Sequence, residues 1–344
     1  MILGIESSCD ESALSLYDPE TGILGEWINS QIIKHSEYGG VVPDLAVSEH
    51  LNNFIPLLSI AREKYHLTDL VSKIAVTCGP GLVGCLGVGI SIGKTLSLLW
   101  NVPIVGVNHL RGHAFSPFIP HSKNGKIQWS KYLPHLGLLV SGGNTLLFEI
   151  DEELNVNILA KTVDDAAGEA LDKGAKLLGI PYPGAPILEQ KAKNGNHMKF
   201  DFPIAFPERS KMKFSFSGLK TSLLYKLEKM TGEDIKNEYA DLCASYQWAA
   251  VQQLVRKTDH AMNNKKYMSI GLSGGVSNNQ LLRDQMKQYA STVGIEVLFA
   301  EPMHTGDNAT MIAFAAHIDA GNTWPNHDQE LSFNPSLKLD NSVG

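Results

Sequence analysis

Two stretches of this chain share one grammar: apolar strand, polar turn, apolar strand. In the first, residues 2–5 run into Glu6-Ser7-Ser8-Cys9-Asp10-Glu11-Ser12 and then into the alternating residues 13–17. In the second, residues 136–140 stop at Ser141-Gly142-Gly143-Asn144 and resume over 145–150. Apolar alternation on either side of a polar tip is a hairpin signal. The same unit returning about 130 residues later points to two similar lobes. Identity between the halves is too low to prove a repeat, so the likeness rests on the pattern alone.

The remaining periodicity fills in each lobe. Residues 22–30 supply a third strand to the first hairpin, and 74–77 and 104–107 read as strands. Apolar residues at helical spacing mark 47–65 and 89–100. After the second hairpin come helices over 164–178, 219–230, 234–262 and 278–289, strands over 267–272 and 295–300, and a last helix over 307–320. Residues 181–217 look irregular, with five prolines between Pro181 and Pro207. From Gly321 the chain is polar and contains proline, and is expected to be poorly ordered. Strands alternating with helices make this an α/β chain.

Composition sets limits on partners. The 344 residues are a prior for two domains, and 43% hydrophobic with 19% charged residues excludes disorder. With 29 basic and 36 acidic residues the net charge is −7, which excludes a globally basic nucleic-acid binder. A local basic track remains open, and Lys191, Lys193, Arg209, Lys211, Lys213 and Lys220 cluster around the irregular region. Cys9, Cys78, Cys85 and Cys243 have no C-x-x-C spacing and no disulfide framework. The N-terminus has no basic region followed by a long apolar run, and residues 82–100 are interrupted by Gly84, Gly87, Gly89, Gly93 and Lys94. The expectation is a soluble, cytoplasmic chain that does not enter membranes.

Four stretches carry chemistry. Ser141-Gly142-Gly143-Asn144-Thr145 is either a plain hairpin turn or a place where backbone amides approach an anion. Gly271-Leu272-Ser273-Gly274-Gly275-Val276-Ser277-Asn278-Asn279 joins a strand to a helix, which suits a nucleotide, or equally a helix start capped by Ser277 or Asn278. His109-Leu110-Arg111-Gly112-His113 places two imidazoles at i and i+4, a metal-ligand spacing or two histidines on a surface helix. Asp307 is a candidate third ligand and also a candidate helix cap. Asp164 to Lys173 carries Asp165, Glu169 and Asp172 near one helix face, a solvated acidic face or a partner for sugar hydroxyls. On the first turn, Glu6, Asp10 and Glu11 suit holding a metal-bound phosphate through water, or taking a proton. Gly79-Pro80-Gly81-Leu82-Val83-Gly84 is one more close-backbone loop.

Taken in order, Ile5-Glu6-Ser7-Ser8-Cys9-Asp10-Glu11, Tyr38-Gly39-Gly40-Val41-Val42-Pro43, the 79–84 loop, His109 with His113, Val140-Ser141-Gly142-Gly143, Asp164-Asp165-Ala166-Ala167-Gly168-Glu169-Ala170, Phe214-Ser215-Phe216-Ser217-Gly218-Leu219-Lys220 and Gly274-Gly275-Val276-Ser277 resemble the TsaD family. That family comprises the tRNA N6-adenosine threonylcarbamoyltransferases, and the resemblance runs from about residue 2 to about residue 320. It implies the two-lobed actin-like ATPase fold of hexokinase and heat-shock 70. The lobes expected are 1–115 with about 308–325, and 116–307 with a helical insertion over about 181–265, followed by a tail over 326–344. It implies transfer of the threonylcarbamoyl group from threonylcarbamoyl-adenylate to N6 of adenosine 37 in tRNAs reading codons that start with A, with release of AMP.

Carried over residue by residue, His109, His113 and Asp307 would hold one divalent ion, Fe2+ or alternatively Zn2+. Leu139, Val140, Ser141, Gly142 and Gly143 would line the phosphate and acyl side. Asp172, Ala185 and Asn279 would hold the nucleoside. Asp10 or Glu11 is the candidate base. The implied partners are tRNA, a related inactive TsaB-like paralogue and a small TsaE-like P-loop ATPase. Two positions depart from the family pattern: Ala185 replaces a glycine common in bacterial relatives, and Asn144 replaces the usual histidine. The rival readings are a small-molecule kinase of the same fold, a non-catalytic scaffold paralogue and a metallopeptidase. Leu110 stands where the peptidase motif needs Glu.

Overall fold

The computed structural model describes residues 1–324 and 330–340. The chain divides into two compact units, Met1–Trp129 with Ala300–Gly344, and Ser130–Phe299. Each is built on a five-stranded mixed sheet.

In the first unit, β1 (Ile2–Glu6), β2 (Glu11–Asp18), β3 (Gly22–Ser30), β4 (Lys73–Gly79) and β5 (Ile104–Asn108) lie in the order β3-β2-β1-β4-β5. The β1–β2 and β2–β3 pairs are antiparallel; β1–β4 and β4–β5 are parallel. β1 is a central strand buried at every residue, as an uninterrupted apolar run predicts for a strand covered on both faces. Helices α1 (Pro43–Lys64), α2 (Val83–Trp100) and α3 (His109–Phe115), with the late helix α9 (Ala309–Ile318), belong to this unit. Gly4 lets α9 lie directly on β1: a Cβ there would sit 2.2 Å from the Ala309 carbonyl oxygen.

In the second unit, β6 (His135–Val140), β7 (Thr145–Ile150), β8 (Val156–Lys161), β9 (Ser269–Ser273) and β10 (Glu296–Phe299) lie in the order β10-β9-β6-β7-β8. Counted within each unit, the strand order is the same, and so is the split between antiparallel and parallel pairs. Its longer helices are α4 (Ala167–Leu177), α5 (Gly184–Ala192), α6 (Ser217–Glu228), α7 (Tyr239–Met262) and α8 (Gln280–Val293).

Several expectations need adjusting. Segments 116–129 and 300–307, given to the second lobe by the sequence, pack with the first unit. There Phe118 is buried, and Gly125 accepts a hydrogen bond from His317 Nε2 at 3.0 Å. Residues 181–217 contain helix α5, because Pro183 and Pro186 fall before and within its first turn, where no backbone donor is needed. The expected 234–262 helix is two. Thr231 and Asp234 form a capping box over Gly232–Asn237, and α7 starts afresh at Tyr239. The expected tail is packed over 330–340: Leu331, Leu337 and Leu339 are buried, and the Asn334 amide donates to the Cys78 carbonyl at 2.8 Å. Residues 325–329 and 341–344 of that tail lie outside the described residues. α2 is the one described helix long and apolar enough to cross a membrane; it packs on β4 and buries Cys85, Leu86, Ile90 and Leu96.

Candidate functional site

The first unit gathers imidazoles and carboxylates. Asn108 ends β5, and its side chain accepts from the Leu110 amide at 2.9 Å, so α3 begins at His109. One helical turn then puts His113 beside His109, ring centroids 4.7 Å apart. Asp307 precedes the Asn308 cap of α9 and meets both: its Oδ1 lies 3.0 Å from His113 Nε2 and 3.4 Å from His109 Nε2. The three donor atoms fall within 4.8 Å of one another.

Behind His109 stands Glu6, fully buried at the end of β1. Its Oε2 lies 3.1 Å from His109 Nδ1, and Ser8 Oγ lies 3.2 Å from the same nitrogen. Thr77 Oγ1 and the Ser8 amide donate to the Glu6 carboxylate. Burial opposes ionisation of Glu6, yet His109 and the hydrogen bonds hold its carboxyl below the usual range. Burial likewise opposes protonation of His109, but Asp307 and Glu6 together raise its pKa well above the usual value. At His113 burial prevails and the shift is downward. Asp307, despite burial, is held far below the carboxylate range by the two histidines.

The donor set fits a metal ion. Two imidazole Nε2 atoms and one carboxylate oxygen converge, and such nitrogen and oxygen ligands suit zinc or iron. Glu6 behind Nδ1 is the outer carboxylate that fixes a ligating imidazole with its Nε2 lone pair forward. The sequence reading placed Glu6 on the polar turn; the structure makes it the last residue of a central strand, and its burial follows from that place.

Asp10 and Glu11 lie on the same turn. Burial first, then the charges of Asp307 and Asp10, push the Glu11 carboxyl up to about 10. The turn is braced from α1: His50 Nε2 lies 2.9 Å from the Cys9 carbonyl oxygen and Nδ1 2.7 Å from Ser12 Oγ.

The second unit works with backbone. The Ser141 amide donates to the Asn144 carbonyl at 2.8 Å, and Ser141 Oγ accepts from the Asn144 amide at 3.0 Å. Gly142 and Gly143 are exposed, and a Cβ on either would meet nothing within 4 Å, so packing does not require their glycines. Leu139 and Val140 are fully buried, side chain and main chain alike, in β6, which leads into the turn. Gly168 brings α4 against the turn: a Cβ there would lie 2.5 Å from the Ser141 carbonyl oxygen.

Asp172 Oδ1 accepts from the Gly184 and Ala185 amides at 2.8 and 2.7 Å, tying α4 to the start of α5. Burial raises its carboxyl, partly offset by those two amides. Asn279 caps α8 through Leu282 and also accepts from Gln247 Nε2 at 3.2 Å. The Gln280 amide donates to Glu189 on α5 at 2.6 Å, which brings Asn279 next to the same helix as Ala185. The other carboxylates of the 164–173 stretch have structural partners. Asp165 and Glu169 pair with Lys173, and Asp164 receives the Ser215 and Ser217 hydroxyls.

Of the basic residues, Arg209, Lys211 and Lys213 share one exposed loop, while Lys191 and Lys193 lie at the end of α5 and Lys220 on α6. Sequence reasoning missed what holds that loop. Lys257 is fully buried on α7, and its ammonium donates to the carbonyls of Phe206, Glu208 and Lys211 at 2.6, 3.2 and 2.7 Å. A lysine inside the apolar stripe of an amphipathic helix was the available signal.

Comparison with known proteins adds four findings. The family described as TsaD, tRNA N6-adenosine threonylcarbamoyltransferase, matches residues 22–314. A protein of Thermosipho africanus (strain TCF52B) with that same name is 40% identical over 320 residues, 92% of this chain and 93% of its own. Among solved structures, T. kodakarensis HypF matches 93% of this chain and 47% of its own length with TM-score 0.58 at 15% identity. Component A of the (R)-2-hydroxyglutaryl-CoA dehydratase of Acidaminococcus fermentans matches 93% of this chain and 98% of its own with TM-score 0.52 at 14% identity. At such identities these two speak for the fold alone, that of actin-like ATPases.

Proposed function

Because the chain belongs to the TsaD family of tRNA N6-adenosine threonylcarbamoyltransferases, we propose that its donor is threonylcarbamoyl-adenylate and its acceptor N6 of adenosine 37, in tRNAs reading codons that start with A. The N6 lone pair forms the new bond to the carbamoyl carbon. The bond from that carbon to the phosphate oxygen breaks, and AMP leaves with its electrons. One proton departs from N6.

His109, His113 and Asp307 would hold one divalent ion, iron or zinc, which when bound supplies a Lewis acid for the phosphate or carbamoyl oxygen. Glu6 fixes the His109 ring by the contact at Nδ1. The exposed Gly142 and Gly143 offer their backbone amides to the phosphate and acyl side, with Ser141 closing the turn and Leu139 and Val140 leading into it. Asp172 and Asn279 hold the nucleoside, and the Ala185 methyl narrows the sugar pocket. Asn144 takes no histidine-like role. Asp10 or Glu11, on the turn that follows β1, accepts the N6 proton.

tRNA phosphates meet the loop of Arg209, Lys211 and Lys213, extended by Lys191, Lys193 and Lys220. The TsaB-like paralogue docks on α1 and α2, which pack together and leave Leu51, Ile55, Leu98 and Leu99 exposed. A TsaE-like ATPase completes the assembly, in the cytoplasm. The kinase and scaffold readings are not favoured by the family match.

The observation that carries this reading is the convergence of two imidazoles and a carboxylate with Glu6 behind them. The test supplies threonylcarbamoyl-adenylate, an unmodified transcript of such a tRNA, and the protein with and without its two partners. Modified nucleoside is sought by mass spectrometry of the digested RNA, with His109→Ala/His113→Ala as control. Product that vanishes in the control supports the reading. Absence of product under every partner combination overturns it.

A further inference from the structure

Asp307 is bracketed by two side chains that bind one and the same carboxylate. His304, three residues before it, is buried, with Nε2 2.9 and 3.1 Å from the two Glu26 oxygens. Thr310, three residues after it, donates its hydroxyl to Glu26 Oε1. Glu26 belongs to β3, and its direct neighbour across the sheet is Ser15 on β2, whose Oγ lies 2.7 Å from Thr310 Oγ1. Both ends of the 304–310 segment are therefore tied to one point on the β2–β3 ladder. Inside the segment, Asn308 Nδ2 donates to the Gly306 carbonyl at 2.8 Å and to the His304 carbonyl at 3.3 Å.

The two histidines lie on α3, which packs against α9. α3 is held by the Asn108 cap and by Arg111, which pairs with Asp319 at the end of α9. Asp307 itself precedes α9, in the stretch that Glu26 ties down on both sides, so the contacts of Glu26 set where its carboxylate meets the imidazoles. Stability alone does not favour the pair, since hydrophobic residues at both 26 and 304 would fill the same volume without burying an imidazole and a carboxylate together. The pair becomes useful if the turn must be held at one height, because two hydrogen-bonded anchors fix it more narrowly than apolar contact.

We propose that Glu26 and His304 are positioning residues for Asp307, seating its carboxylate where a metal ion held by His109 and His113 requires it. This rests on the metal reading of those three residues, and the experiment separates the two. Glu26→Ala, Glu26→Gln, His304→Phe and Asp307→Ala are prepared in the full chain. Zinc affinity is measured by competition with a chromogenic chelator, and the melting temperature of each zinc-free variant is recorded.

Asp307→Ala loses zinc affinity outright. Glu26→Ala and His304→Phe lower it by about 10–100-fold, the scale of outer-shell substitutions, with Glu26→Gln in between. Glu26→Gln keeps the shape of the side chain and reads the same step where an alanine variant does not fold. A purely structural role would lower the melting temperature and leave the zinc affinity of the folded protein unchanged. That result, alongside a defective Asp307→Ala, overturns the positioning role and spares the metal reading. Unchanged affinity in Asp307→Ala overturns both.

Discussion

The two sheets have one topology and opposite chemistry at the same place in it. In the first unit the hairpin between the first two strands is made of side chains: Glu6 and Ser8 are buried in it, and Asp10 and Glu11 follow. In the second unit the corresponding hairpin is made of main chain, with two exposed glycines and a turn that hydrogen-bonds to itself. Identical strand order therefore does not carry function; the residues placed at the turn do. Carboxylates and imidazoles concentrate negative and donor groups, which is what a cation needs. Glycines and a helix start offer amides, which is what a phosphate needs.

That contrast can be broken most sharply at His113. His113→Ala should lower metal content and transfer by more than about 100-fold, beyond the scale of losing an outer-shell partner, while adenylate binding measured by calorimetry falls far less. Loss of both would mean that the turns do not divide the work. On the other side, Gly168→Ala drives a methyl toward the Ser141 carbonyl oxygen, 2.5 Å away. It should cost about 1–3 kcal/mol in chemical denaturation and weaken adenylate binding, with metal content unchanged.

Asp172→Ala tests the same unit without touching the turn. It removes the acceptor of the Gly184 and Ala185 amides and should raise KM for the adenylate about 10-fold, the scale of a hydrogen bond to a charged group. Transfer assays over a range of adenylate concentration would show it.

The buried histidines separate the units by pH. Burial pushes His135 in the second unit down to about 3, from 6.5 when exposed. Its folded pKa lies below the unfolded one, so the unfolded chain binds the extra proton. The group leaves stability unchanged above pH 6.5 and lowers it by about 1.4 kcal/mol per pH unit between 6.5 and about 3. His135→Gln should flatten that slope in urea titrations at several pH values. In the metal-free first unit His109 shifts upward, and its contribution has the opposite sign: present below the unfolded pKa and lost as pH rises through the folded one. The smallest effect is expected on tRNA. Arg209→Ala or Lys211→Ala should each reduce the salt slope of binding by about 1, read by filter binding at several salt concentrations.

Much of this was open to a reader of the sequence. Strands 22–30 and 145–150 match the structure residue for residue, because alternation bounded by turn residues leaves little freedom in register. The His109 and His113 spacing and Asp307 were legible as candidate ligands, since spacing along a helix is a local property. The roles of Glu6 and Lys257 were not, because each depends on what packs against it from distant parts of the chain: Thr77 and His109 on Glu6, and carbonyls of the 206–211 loop on Lys257. Strand β8 escaped because only Val156 and Ala160 along it are buried, a pattern too weak to declare an edge strand.

By itself, the order of residues determined the class of fold, the doubled hairpin and the family. These follow from short-range periodicity and from motifs that act as contiguous strings. Only the tertiary structure decided which carboxylate stands behind which imidazole, which helix Asp172 ties down, and that Glu26 reaches both sides of Asp307. Such pairings join residues far apart in the chain, 284 positions for Glu26 and Thr310, and no local pattern records them. They exist because the folded core excludes water, and a buried polar group must then find its partner wherever the chain brings one.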